Sequence, residues 1–343
     1  MKKLLVVLLI ALLFGCSKDE KKDTVTADAK YKDVLGNLES YDDDVADLNI
    51  LYKFKKGDKF SFKLTTISST NAVIEADSTI KADSKETTYY TFDFEVLNKK
   101  GAEYDLNVNI KAIAINAEMN GQKFDFDSKK QYTPEEKQQF LQYTVLIDHP
   151  YKIVMDQSGE IKDVTGLEKM VDEMLAVQAK GQKVPPEQRL GLIENFEQGA
   201  IKPMTQLVFR KLPAHQINKD SVWTDEYPGS IGVFQLKNKV NFKLEDFVKN
   251  GDNKAAVISA KLSVTWEGKN KGTQEGIEYE YKNPVISGDG VILFDIDRGI
   301  VKKSDTGTGL ELSVSMQAKD STGKMKKTTR TEKTMNRNIV ELL

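Results

Sequence analysis

Few side chains in these 343 residues have the type and spacing for chemistry. Cys16 is the single cysteine, so its sulfur has no disulfide partner within the chain and stands as a nucleophile. Two histidines are present: His149 follows Asp148, and His215 follows Pro213 and Ala214. They would have to meet from distant positions to form a base with an orienting acid. No Gly-x-Ser-x-Gly elbow, His-Glu-x-x-His helix, Gly-x-x-x-x-Gly-Lys loop or Cys-x-x-Cys pair occurs, each histidine reads as a surface residue, and no catalytic residue is assigned. Asp295-Ile296-Asp297 begins like a calcium loop, but Gly299 and Thr306 occupy the fifth and twelfth positions, where oxygen ligands are required. A hairpin turn between strands at residues 291–294 and 300–303 accounts for that segment better. Thr306-Gly307-Thr308-Gly309 opens a strand, so it lacks the helix N-terminus that cradles phosphate. The acid run at residues 42–44 has neither a framing glycine nor a later glutamate. No metal and no cofactor is expected.

Cys16 gains meaning from what precedes it. Lys2 and Lys3 lead into an apolar run over residues 4–14 that ends at Gly15, which is a signal-peptide layout. The run is shorter than the roughly 20 residues needed to span a bilayer. Leu13-Phe14-Gly15-Cys16 resembles the lipobox of bacterial lipoproteins. The resemblance implies removal of residues 1–15 and a diacylglyceride on the Cys16 sulfur, enough for stable anchoring to a membrane. Ser17-Lys18-Asp19-Glu20 is similar to the surface-export signal of Bacteroidota lipoproteins, although a charged tether has the same composition. Ser17 in place of Asp argues for the outer membrane by resemblance to the proteobacterial sorting rule. The expected location is therefore the cell envelope, lipid-anchored at the outer membrane, with the periplasmic or surface-exposed face left open.

The charge balance narrows the partners. Net charge is −2, and loss of Lys2 and Lys3 takes it to about −4, which argues against a nucleic-acid partner. The basic residues of the C-terminal run, from Lys324 through Arg337, alternate with threonines and read as an exposed edge strand whose lysines block edge-to-edge pairing.

The elements that would position any site are mostly strands. Phe60, Phe62 and Leu64 alternate with polar residues, as do Tyr90, Phe92, Phe94 and Val96; the same period of two recurs at Leu106, Val108 and Ile110, at Val240, Phe242 and Leu244, and at Ile258 through Trp266. Turn signals at residues 98–101, Asn120-Gly121, Asn250-Gly251, Asp289-Gly290 and Arg298-Gly299 separate the runs. Capping boxes at Thr133 with Glu136 and at Thr165 with Glu168, then Pro185-Pro186, start helices in the middle of the chain; Gly199 is read as a break. Met155, Met170, Met174 and Met204 lie on or near these helices, where core packing and an adaptable apolar surface predict the same pattern, core packing with the greater weight.

The expected class is α+β, mainly antiparallel β, with a curved sheet or half-barrel lobes and a central helical insert. The expected organisation is a signal peptide over 1–15, a flexible tether over 16–47, an N-terminal β lobe over 48–132, a helical insert with a short strand segment over 133–211, and a C-terminal β lobe over 212–343. Tyr52-Lys53-Phe54-Lys55-Lys56-Gly57-Asp58, Leu212-Pro213, Asp220-Ser221-Val222-Trp223 and residues 290–299 resemble an uncharacterised family of Bacteroidota lipoproteins, which implies no activity. The chain also resembles half-barrel lipid-carrying lipoproteins. That likeness and the alternation imply a non-catalytic binding protein for an apolar ligand or lipid; the alternative is a surface-exposed interaction or scaffolding lipoprotein with a protein partner.

Overall fold

The computed structural model describes residues 38–40, 47–178, 184–231, 234–250, 253–267, 269–274, 276–319 and 323–343. Cys16, the cleavage site and the acid run at 42–44 lie outside the described residues.

Alternating segments become long paired strands because each has one apolar face to bury. The strands are β1 (Glu39–Ser40), β2 (Lys59–Glu75), β3 (Thr79–Lys100), β4 (Glu103–Met119), β5 (Gln122–Asp127), β6 (Tyr151–Asp156) and β7 (Ile161–Thr165). After the helices follow β8 (Val222–Ile231), β9 (Phe234–Asn250), β10 (Asn253–Glu267), β11 (Lys271–Gln274), β12 (Ile277–Asp295), β13 (Ile300–Lys319) and β14 (Met325–Leu342). Among the described residues all fourteen belong to one open, curved, antiparallel sheet, in the order β1-β9-β10-β12-β13-β14-β2-β3-β4-β6-β7, with β8 beside β9, β11 beside β12 and β5 beside β4. The mainly antiparallel class with a helical insert is thus observed.

Two features of this topology differ from the reading of the sequence. The basic C-terminal segment is not an edge: β14 pairs along its length with β13 on one side and β2 on the other. It therefore joins the N-terminal and C-terminal β segments into a single sheet. Asp289-Gly290 does not turn the chain either; both residues sit inside β12, in register with Gly307 and Thr306 of β13.

Bulges explain where the alternation changes phase. Phe92 pairs with Ile110 while Thr91 pairs with Ala112, leaving Lys111 unpaired; buried residues then step from Leu106, Val108 and Ile110 to Ile113 and Ile115. A second shift beside Glu245 moves the buried set from Leu244 to Phe247.

The insert contains α1 (Pro134–Gln139), α2 (Leu141–Thr144), α3 (Glu168–Gln178), α4 (Pro186–Phe196) and α5 (Lys202–Val208). The capping box at Thr133 and Glu136 is formed as expected. Thr165 instead ends β7, and the helix after it begins at Glu168. Gly199 does not break the chain's helical course: Glu197–Ile201 form a π-turn leading directly into α5. Within the segment expected as a tether, Glu39 and Ser40 pair with Lys249 and Val248, and Leu38 packs on the outer cluster of Val248, Ala255, Val257, Val291 and Leu293.

The principal core lies on the sheet's other face. Phe62, Phe94, Leu106, Ile258 and Phe294 meet Met170, Ile201 and Phe209 from the insert, and each such fully buried large side chain contributes roughly 1.5–3 kcal/mol. Phe209 sits in an aromatic cage, its ring 5.0 Å from Phe94 and 5.7 Å from Tyr52 between centroids. The extended segment at residues 50–54 closes this end. Tyr52 N donates to Gln157 O at 2.9 Å and Lys53 N to Gly299 O at 3.1 Å, tying the β6–β7 turn to the β12–β13 turn.

Candidate functional site

Beyond the aromatic core the insert no longer fills the space above the sheet. A cavity of about 560 Å³ opens between α5 with residues 209–211 and the inner face of β8, β9, β10, β12, β13 and β14. Such a volume falls within the roughly 300–1,000 Å³ of small-molecule sites. Its wall is divided by strand. β9 and β10 contribute Leu236, Val240, Phe242, Ala260 and Leu262 with the buried Asn238 among them, and β12 contributes Ile286 and Ile292; β13 and β14 contribute Thr306, Thr308 and Asn338. The apolar side continues along the same face into a second cluster of Leu236, Tyr281, Leu310 and Val314, flanked by the partly buried Val264, Trp266 and Met316.

The floor is low where glycine occupies the inward positions of β12. A Cβ added to Gly288 would lie 2.7 Å from Thr308 Cγ2, and one added to Gly290 would lie 2.5 Å from Thr306 Cγ2. These glycines let the threonines of β13 lie flat across the neighbouring strand.

The Arg210 guanidinium enters this space. Arg210, directly after the caged Phe209, sends Nε and Nη2 toward Ser304 Oγ at 3.3 and 3.2 Å and Nη2 toward Thr306 Oγ1 at 3.2 Å. Its backbone is held on both sides: Arg210 N donates to Tyr52 Oη at 2.9 Å, and Tyr52 Oη donates to Arg210 O at 3.2 Å. Tyr104 Oη donates to Tyr52 O at 2.8 Å and fixes that tyrosine in turn. The Gln206 side chain links Gly159 O and Phe209 O, at 2.9 and 2.7 Å, while accepting from Ile161 N at 3.0 Å. Burial pushes the Arg210 pKa down to about 10, opposed by the nearby Tyr52, Asp305 and Tyr227, so the side chain remains a cation at neutral pH.

Lys211 and Asp225, which also line the cavity, are paired. Lys211 Nζ lies 3.4 Å from Glu160 and 3.4 Å from Asp225. Asp305, next to Ser304 on β13, faces the opposite side of the sheet and is held by the Arg337 guanidinium. Burial raises the Tyr227 phenol to about 12, so it lines the cavity as a neutral group.

The residues singled out in the sequence fall elsewhere. Asp148 pairs with Lys111 at 3.2 Å; His149 is half-buried, with Nε2 3.3 Å from Glu173 and Nδ1 3.0 Å from Ile147 O; His215 is exposed. Among the described residues no hydrogen bond or ion pair brings these three together. Asp295 to Gly299 form the β12–β13 hairpin turn, with Asp295 Oδ1 accepting from Arg298 N at 2.8 Å. No cluster of three or more metal-ligating side chains occurs among the described residues. Met155 lies on β6 and Met170 on α3, both fully buried, while Met174 and Met204 pack at the edge of the same core; none lines the cavity. Arg210 was not singled out in the sequence, because a lone arginine has no motif. Its signal was a cation set between Val208-Phe209 and Leu212-Pro213.

A family model described as a family of unknown function, DUF6263, matches residues 101–301. No curated protein matches the sequence. Among solved structures, that of lipid–protein interactions in lipovitellin aligns over 85% of this chain with 11% identity and a TM-score of 0.41, and the chain spans 25% of the lipovitellin chain. OccK5 of Pseudomonas aeruginosa aligns over 83% of this chain and 98% of its own, at 7% identity and TM-score 0.21. An outer membrane channel from Pseudomonas putida F1 aligns over 87% of this chain and 100% of its own, at 6% identity and TM-score 0.19.

Proposed function

The chain belongs to DUF6263, a family of unknown function, and from its cavity we propose that it is a non-catalytic, membrane-anchored binding protein for an apolar ligand or lipid. The observation that carries this reading is the cavity of about 560 Å³ whose β9–β10 wall is apolar apart from Asn238 and whose apolar lining extends toward Trp266. Core strands elsewhere in the sheet bury that face against the insert, whereas here the face is left for another molecule to cover.

Anchoring rests on Leu13-Phe14-Gly15-Cys16 and would hold the binding body at the cell envelope, with Ser17 in place of Asp favouring the outer membrane. Labelled palmitate supplied to cells producing the chain is expected to enter the protein and to be absent from a Cys16→Ala variant. Equal labelling of the two would remove the anchor from this proposal.

Binding is tested with the mature chain from residue 16 onward, carrying Cys16→Ser, titrated with the neutral fluorophore N-phenyl-1-naphthylamine. Saturable binding is expected. Ala260→Trp, which fills the apolar wall, is expected to weaken it at least tenfold while leaving Tm within a few degrees. Undiminished binding by that variant would place the fluorophore elsewhere and defeat the proposal.

A further inference from the structure

We infer that the occupant of the cavity is an amphiphile with one anionic headgroup, which the Arg210 guanidinium receives while the tail lies along the β9–β10 wall. This deepens the proposed binding role and rests on it.

The argument begins with what Arg210 lacks. Among the described residues no carboxylate forms an ion pair with it, and the guanidinium's hydrogen bonds go only to the neutral hydroxyls of Ser304 and Thr306. Asp305 is near enough to influence its charge, but that carboxylate turns to the other face and is engaged by Arg337. Lys211 is spoken for by Glu160 and Asp225. A guanidinium half-withdrawn from water and left without a counter-ion carries a cost, and an arriving anion would relieve it.

Geometry suits the same role. Among the described residues Arg210 Nη1 makes no hydrogen bond, so part of the planar fork remains to be used, and a guanidinium fork matches the two oxygens of a carboxylate or phosphate. The backbone clamp from Tyr52 and the aromatic cage around Phe209 fix where that fork stands before any ligand arrives. Thr306 and Thr308 continue the polar wall beside it, and Val240, Ala260 and Leu262 stand on the apolar strands. A polar end and an apolar side meeting in one cavity describe a ligand with both parts.

Carboxylate and phosphate heads satisfy the same fork, so free palmitate and phosphatidylglycerol vesicles are tested as separate sources. Each is compared with the neutral analogue of equal tail, hexadecanol for palmitate and diacylglycerol-doped phosphatidylcholine vesicles for phosphatidylglycerol, as competitor of bound N-phenyl-1-naphthylamine. At least one anionic member is expected to compete ten times or more better than its neutral analogue, and which one does identifies the source. Arg210→Gln should abolish that preference, and Arg210→Lys should restore part of it. Should an Arg210 variant fail to fold, the comparison of charged and neutral competitors on the unaltered chain still decides. Equal competition by charged and neutral members overturns the headgroup assignment while leaving the apolar binding role intact. Failure of the fluorophore to bind at all overturns the binding role itself.

Discussion

At the scale of single residues, the site depends on groups that never touch its interior. Gly159 has φ +91°, and a Cβ there would lie 2.4 Å from the Tyr52 ring and 2.5 Å from Arg210 O. Gly57 has nearly the same φ, +90°, with nothing within 4 Å of its added Cβ. The pair separates backbone strain from packing. Gly57→Ala should cost about 1–2 kcal/mol for the left-handed conformation alone. Gly159→Ala should cost about 1–3 kcal/mol more, because the clash displaces Tyr52 and Arg210. Urea denaturation of both variants checks this; equal losses would mean that Gly159 is not a packing constraint. The phenols give a second prediction. Burial raises Tyr52, Tyr90 and Tyr151 well above their ordinary value of 10.0. In the folded chain these groups therefore hold protons that the unfolded chain releases, so stability is full below pH 10 and declines as pH rises above it. Thr205 Oγ1 donates to Ile201 O, which leaves Tyr151 Oη as donor to Thr205 at 2.6 Å, and ionisation would remove that donor. Tyr151→Phe is expected to lower stability at pH 7 and to flatten the alkaline decline, measured by denaturation between pH 7 and 11. A decline as steep as in the unaltered chain would exclude Tyr151 as a contributor.

At the scale of elements, the sequence revealed what local periodicity controls and concealed what depends on distant pairing. Phe60, Phe62 and Leu64, or Tyr90 through Val96, show their strands because one face is wet. β14 was misread since its lysines describe only its exposed side; pairing with β13 and β2 involves partners nearby in one case and about 265 residues away in the other, as in Thr70 with Thr334. Gly290 was misread for a related reason. A glycine beside an aspartate signals a turn locally, but here it makes room for Thr306 across the ladder. The cavity was legible only as alternation that needed a cover, and Arg210 only as a cation among apolar neighbours, because its counterparts Ser304 and Thr306 lie almost a hundred residues onward. Ion pairs on different elements should likewise differ in consequence. Arg189 on α4 grips Asp172 on α3 at 2.6 and 2.8 Å, with the aspartate over half exposed. Arg337 grips Asp305, whose side chain is 5% exposed. Arg189→Ala should leave stability nearly unchanged. Arg337→Ala should cost more, about 1–3 kcal/mol, because it strands a buried carboxylate within the sheet. Thermal denaturation of the two variants under one buffer provides the comparison, and a larger loss for Arg189→Ala would reverse this ranking.

For the whole molecule, the decisive feature is that β14 closes the two β segments into one sheet. Val340 of β14 shares a core with Leu64 of β2 and with Val301 of β13, and the insert packs onto strands from both segments. A chain of this length could melt in two steps if its lobes were separate. Here neither segment keeps an intact core once β14 leaves, so the described body should unfold in one calorimetric transition with calorimetric and van't Hoff enthalpies that agree. Pairing β14 with β2 closes a loop spanning most of the chain, so refolding should be slow, on the order of milliseconds to seconds or longer. A stop codon before Met325 supplies the sharper test. If the halves were autonomous, such a truncation would leave the transition of β2–β7 in place at nearly its original temperature. One continuous sheet requires instead that β2 and β13 both become bare edges beside a broken core. The truncated chain should then show no cooperative transition and should bind N-phenyl-1-naphthylamine without saturation, as loosely packed apolar surface does. A retained cooperative melt would show that the sheet is continuous in its hydrogen bonds but divided in its stability, and would return the molecule to two lobes that happen to share a seam.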